Sequence, residues 1–316
     1  MNICGKDIAV RGGLIRTARL AAEGYEFVQD PTRTLAAMRR GPRRVDLFTF
    51  VQPLPDPTPR YPYPMEWENV AAVPVSTFDH WWTRQINTKT RNRVRRAEKD
   101  GVVVREVAFD DALIAGISSI YNESRTRRGR AFWHYGKSLD AVRKENATFL
   151  ERSTFIGAFL DDQLIGFAKL VTDDDRRQAA LMQILSMMRH RERAPTNALI
   201  AQAVRSCAQR GIPYLVYANF TYGGQPDSLT DFKHHNGFMP IELPRYYVPL
   251  TPAGRAALQL GLHHRMRDRI PAPLLVPLRR LRSLGHAGVA KATDRLSRLW
   301  ATTARAGVRA VRPDRR

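Results

Sequence analysis

Residues 87–101 read NTKTRNRVRRAEKDG and run directly into VVVREV at 102–107. Six of the fifteen are Lys or Arg, so the stretch is either a grip on nucleic acid or the wet face of a helix. The residues before it decide between the two. From Ser76 or Thr77, either of which can cap a helix, Trp82, Ile86, Thr90, Val94 and Ala97 recur at spacings of three and four, which predicts one apolar stripe along a continuous helix. Gly101 suits its C-terminal end, and the basic residues crowd the last turns, where the helix dipole favours cations. One face is therefore committed to packing, the charges occupy what remains, and the nucleic-acid reading recedes.

Outward from this helix the pattern is that of an α/β protein. Before it, DIAV, GYEFV, DLFTFV and AAVPV read as strands, with TRTLAAMRRG a short helix ended by Gly41. The segment at 53–64, PLPDPTPRYPYP, has six prolines and reads as an extended surface loop. After it come strand VVVREV, helix DDALIAGISSIYNESRTRRG, a loop with RAFWHYGK, helix LDAVRKENATFLE and strands STFIGAFL, LIGFAKLVT and AALMQILSMM. The loop RHRERAP, helix TNALIAQAVRSCAQRG, strand YLVYANF, a Gly-rich loop, helix SLTDFKHHNG and a final strand through FMPIELPRYYVPL complete the body. This order predicts a mixed sheet flanked by helices.

The 316 residues suffice for about two domains, and 51 basic against 30 acidic residues give a formal charge of +21, which argues for anionic partners. Arg outnumbers Lys by 43 to 8, a bias that codon usage also produces, and residues 251–316 alone carry 15 basic against 3 acidic residues. Cys4 and Cys207 fit neither a disulfide framework nor a metal cluster. The adjacent pairs His234-His235 and His263-His264 do not face one ligand from a helix, so no metal is expected. P-loop, nucleophile-elbow and dinucleotide fingerprints are missing. Neither a signal peptide nor a membrane-spanning run is seen, and the expectation is a cytoplasmic protein, at most peripheral at the inner membrane surface.

Four phrases, TKTRNRVRRAEKDGVVVRE (88–106), NESRTRRGRAF (122–132), FIGAFLDDQLIGFAKLV (155–171) and LTDFKHHNGF (229–238), occur in an order and at spacings that resemble the Gcn5-related N-acetyltransferase (GNAT) fold. The resemblance is closer to the branch of the FemAB/FemX peptidoglycan-bridge transferases and the BioF2-like acetyltransferase domain. It implies a β-rich partial half-domain at 1–78, the acyltransferase domain at 79–250 and a basic helical tail at 251–316.

It also implies residue roles. In this fold a cofactor pyrophosphate rests on N–H groups at the start of the helix after strand AALMQILSMM. The pattern R-x-x-G-x-A appears here as Arg193, Thr196 and Ala198, with threonine in place of glycine. The implied holders of an acyl-CoA co-substrate, typified by acetyl-CoA, are Leu185, Arg189, Arg193, Thr196, Asn197 and Ala198; the alternative is a charged surface turn. Acceptor contacts fall to Arg128, Trp133, His134, Tyr135, Gln183, Asn219 and Tyr222, with cationic and aromatic side chains suited to stacking and to holding phosphate or carboxylate. Tyr217 and Asn219 alternate along one strand and so share a face. Lys233 is implied to stabilise negative charge at the transfer centre, Tyr217 to supply a proton, and Asp231 to be a base or a partner fixing Lys233.

The expected function is N-acyl transfer to an amine-bearing small molecule or peptidoglycan-type acceptor in cell-envelope or polysaccharide metabolism. The alternatives are a FemX-like aminoacyl-tRNA-dependent peptidyl transferase, with tRNA as partner, and a non-catalytic membrane-associated binding protein. In the tail, Leu278, Leu281, Leu284, Leu296, Leu299 and Trp300 recur at helical spacing among arginines, a pattern that suits an anionic membrane, tRNA phosphates or a solvated tail.

Overall fold

In a computed structural model, residues 1–127, 129–222 and 225–263 are described. The basic tail from residue 264 onward and Arg128 lie outside them.

The strands in chain order are β1 (Asn2–Ile3), β2 (Lys6–Arg11), β3 (Thr17–Leu20), β4 (Leu47–Val51), β5 (Met65–Pro74), β6 (Val103–Val107), β7 (Thr126–Arg127), β8 (Arg130–Ala131), β9 (Ser153–Leu160), β10 (Gln163–Thr172), β11 (Ala179–Ser186), β12 (Tyr214–Asn219) and β13 (Met239–Pro249). The helices are α1 (Pro31–Arg40), α2 (Phe78–His80), α3 (Thr88–Lys99), α4 (Asp111–Asn122), α5 (Leu139–Asn146), α6 (Pro195–Gln209), α7 (Ser228–His235) and α8 (Pro252–Gln259). A single mixed sheet takes the order β1-β2-β3-β4-β13-β5-β12-β11-β10-β9-β6. β5, from the segment expected to form a half-domain of its own, lies between β13 and β12. Met1–Leu260 form one compact unit, and α8 brings residues 252–259 into that body. β10 is buried along most of its length and β9 through its middle, which explains their continuous apolar sequence.

Three sequence expectations change. GYEFV makes turns with an isolated bridge between Glu23 and Glu26 rather than a strand. The helix expected from 110 to 129 ends at Asn122, and its arginine-rich end folds into the small hairpin β7–β8. The long helix from residue 76 is two helices: α2 widens into a π-helical turn at Trp81–Gln85, Ile86 is extended, and the Asn87 side chain caps α3 by accepting from Thr90 N at 2.9 Å. A side-chain cap offers this backbone a better partner than continuing the helix. The wide turn also shifts the phase of the stripe, so Trp81 is fully buried and Trp82 only partly. The basic face of α3 is partly spoken for. Arg91 donates to the carbonyls of Trp82 and Ile86, Arg95 lies over the Trp82 ring, and Arg96 pairs with Asp100.

The same region fastens α7. Trp81 Nε1 donates to Asn236 O at 3.1 Å, Thr90 Oγ1 to His235 O at 2.8 Å, and Asn197 Nδ2 to Asn236 Oδ1 at 3.0 Å. The first two satisfy carbonyls that a helix end leaves open, and the third holds the Asn236 side chain. Gly237 closes α7 at φ +85°, and a Cβ there would stand 3.0 Å from Trp81 Nε1, so only glycine allows the indole to reach the carbonyl. Replacing Trp81 by Phe keeps the ring but strands Asn236 O. The expected cost is about 1–3 kcal/mol of stability, read as a lower denaturant midpoint at unchanged slope; an unchanged midpoint would refute this role for the indole.

Candidate active site

β11 and β12 run parallel and pair only through Ala179–Leu215 and Ala180–Val216. Beyond these two pairs the ladder ends, so Leu181–Ser186 and Tyr217–Asn219 are released from each other. α6 starts after the open end of β11, and α7 follows β12. Parallel strands that part at their C-terminal ends make a cleft, the usual place for a ligand in a sheet of this type.

On the β12 side, α7 carries Lys233, whose side chain is fully buried. Asp227 caps this helix in a capping box with Thr230. Lys233 Nζ donates to Asn219 O and lies over the rings of Tyr217 and Tyr222, 4.9 and 4.8 Å from their centroids. Burial pushes its pKa down to about 8, opposed by the Asp227 carboxylate. Asp231, expected as base or as partner of Lys233, is exposed on α7; the carboxylate that acts on Lys233 is Asp227, one turn earlier.

The expected alternation of Tyr217 and Asn219 is also corrected. Val216 faces Ala72 and Asn219 faces Val70 across β5, so β12 holds one residue too many, and Ala218 takes it up at φ +48°. This bulge turns the Asn219 carbonyl, rather than its amide, to Lys233. The Asn219 amide donates to Glu68 at 3.1 Å, and Glu68 is paired with Arg245, which also holds Glu23.

On the β11 side, Gln183 accepts from Tyr121 OH at 3.1 Å, and burial pushes the Tyr121 hydroxyl up to about 12. The His134 ring stacks on Tyr121 at 4.0 Å, with Trp133 against it at 3.7 Å. His134 is buried, and burial lowers its pKa despite Glu145 at 3.4 Å. Trp133 and Tyr135 reach solvent, but chain cations already lie on them: Lys137 3.5 Å from Trp133 and Arg125 5.4 Å from Tyr135. A platform with its own cations is less open to a ligand ring than the sequence implied.

The loop from β11 to α6 departs most from expectation. Arg193 donates to Asp100 O at 3.0 Å and Thr196 Oγ1 bonds Ser186 Oγ at 2.8 Å. Asn197 and Ala198 are buried, and Leu185 packs against the core. Pro195 at the first position of α6 has no N–H, and the Met188 and Arg189 amides donate to the Glu123 carboxylate. These residues do not fit a pyrophosphate that needs free amides. Among the described residues no group of three His, Cys, Asp or Glu is placed to hold a metal ion, and no helix is long and apolar enough to cross a membrane.

No protein-family model and no curated protein matches this sequence. The similarity is to solved structures. The C-terminal domain (DUF2156) described for a lysylphosphatidylglycerol synthetase from Agrobacterium fabrum overlays with a TM-score of 0.51 at 14% identity, over 80% of this chain and 82% of that one. L-PGS from Bacillus licheniformis gives 0.51 at 11% identity, over 83% and 84%. The fold is GNAT-like. FemX is matched less well, with a TM-score of 0.47 at 12% identity over 61% of this chain and 63% of that one.

Glu123, Asp227 and Glu68 escaped the sequence reading. Only Asp227 left a local signal, the capping spacing in DSLT. Lys169, a lone charge in the apolar run FAKLV, is fully buried and donates to Asn146 O, Thr148 O and Thr148 Oγ1. It closes the end of α5, a structural role.

The depressed pKa of Lys233 has a signed consequence. Folding holds fewer protons here than the unfolded chain between pH 8 and the ordinary lysine value of 10.5. The penalty of burying the charge is therefore full below about pH 8 and relieved as pH rises to 10.5. Lys233→Met removes that titration. The melting temperature of wild type minus that of the variant should accordingly rise with pH through this window. A flat difference would show that Lys233 titrates as an ordinary lysine.

Proposed function

We propose that this protein is an acyltransferase: an amine held at the β11–β12 opening attacks an activated acyl carbonyl beside Lys233. The observation that supports this reading is the buried ammonium of Lys233, held by the Asn219 carbonyl between two tyrosine rings at the open end of the sheet. Burial alone does not mark a functional lysine, since Lys169 is buried as fully with a pKa also lowered to about 8; what sets Lys233 apart is its place where β11 and β12 part. Attack forms a C–N bond and puts negative charge on the carbonyl oxygen. The Lys233 ammonium stabilises that charge, and Tyr217 gives its proton to the donor's departing atom as the old acyl bond breaks and takes the proton released by the attacking nitrogen, which restores the phenol. The acceptor is an amine-bearing small molecule or peptidoglycan-type group.

For the donor, the fold speaks for acyl-CoA. One observation favours the second reading, an aminoacyl-tRNA: two amides of the loop leading from β11 to α6 already hold the Glu123 carboxylate, which disfavours a second anion beside it. The Agrobacterium structure is named for a synthetase whose product joins lysine to a lipid, which agrees with an aminoacyl donor.

Melting curves with acetyl-CoA, longer acyl-CoAs and charged tRNA test both. A donor that binds only the folded state raises the melting temperature, by about 2.7 kcal/mol of added stability at a hundred times its Kd. Stabilisation by charged tRNA that fades with salt supports the second reading. Stabilisation by acyl-CoA alone supports the first, and none from any donor removes the acyltransferase reading. Once a donor is known, Lys233→Met should lower turnover roughly 100-fold or more, and wild-type turnover should fall above about pH 8 as the ammonium is lost.

A further inference from the structure

The loop after β11 carries its own anion. The two carboxylate oxygens of Glu123, just past α4, accept from the backbone N–H groups of Met188 and Arg189 at 2.6 and 2.9 Å. Two consecutive amides aimed at one anion are how strand-end loops cradle phosphate. Here a side chain of the same protein lies in that cradle, and it is only 11% exposed. Arg127 stands 3.5 Å from Glu123 and donates to Ser186 O at 3.0 Å and Ile120 O at 3.2 Å. One guanidinium thus joins the end of β11, the end of α4 and the carboxylate between them.

Several neighbouring donors are committed as well. The N–H groups of Asn197 and Ala198 turn back to Ala194 O at 3.1 and 3.3 Å, and Pro195 has none. The Arg193 guanidinium is on Asp100 O. A phosphate entering the cradle would have to displace a charge-assisted pair of hydrogen bonds and leave a nearly buried carboxylate behind. If Glu123 stayed in place, the two anions would repel.

We infer that Glu123 is a built-in anion that closes this loop to the pyrophosphate of a coenzyme, so that any phosphate of the acyl donor is held elsewhere on the chain. The inference concerns the loop alone and does not depend on Lys233 being active, so loss of the acyltransferase reading would leave it standing.

The test is an NMR titration of the wild-type protein with inorganic pyrophosphate and then acetyl-CoA, observing the Met188 and Arg189 amides, with the same titrations on Glu123→Ala and Glu123→Gln. In wild type both amides should stay in place at saturating ligand, even if acetyl-CoA binds or is turned over. In Glu123→Ala, pyrophosphate should move both amides and raise the melting temperature, with a smaller response in Glu123→Gln. Wild-type amides that shift with pyrophosphate or acetyl-CoA would overturn the inference. So would a folded Glu123→Ala protein whose amides ignore pyrophosphate, because Glu123 would then not be what closes the loop. Should the alanine variant fail to fold, the wild-type and glutamine titrations decide between the same two results.

Discussion

A lysine ammonium sealed inside the protein has to be held by oriented groups, and around Lys233 nearly every element contributes to that holding. The bulge at Ala218 turns the Asn219 carbonyl toward it, and Tyr217 and Tyr222 place their ring faces on it. Asp227 both caps α7 and lends it opposite charge. The far end of α7 is fixed by Trp81, Thr90 and Asn197, from three separate stretches of chain. Behind Asn219, Glu68 and Arg245 carry the support to the N-terminal strands. Because each contact draws on a different element, the position of one ammonium group depends on the whole sheet being assembled.

The sheet in turn owes its opening to what happens after Ala180 and Val216, where parallel pairing stops. β11 goes on toward the loop clamped by Glu123 and Arg127, and β12 turns into the bulge beside Lys233. The two sides of the opening are unlike in chemistry. One holds a cation against aromatic faces. The other has closed its backbone donors with an internal carboxylate. A fold that elsewhere offers amides to a coenzyme is here built around a charge on one side and a filled cradle on the other.

Much of this was legible in the sequence, unevenly. The α/β order, the helix after β11 and Lys233 all followed from local patterns and the family likeness, because periodicity and turn chemistry act over a few residues. The long helix through Trp82 did not, since a π-helical turn changes the count without changing composition. Asp231 lies near Lys233 in sequence, but only the folded chain shows that it is exposed and that Asp227 at the helix start is the carboxylate acting on Lys233. The aromatic segment at 132–135 was read as open, but its own cations lie on the rings.

The sequence by itself determined most of the strands and helices, that one face of 88–99 is committed to the core, and that a lysine would sit close to the turn of the chain at Gly237. The tertiary structure alone decided that this lysine is buried, that the Asn219 backbone faces it, and that Glu123 reaches residues 188 and 189. Those contacts join residues 14 and 65 or more positions apart. A local pattern records what each residue does to its neighbours in the chain, whereas a buried charge and its partners are set by packing between elements that no short window contains.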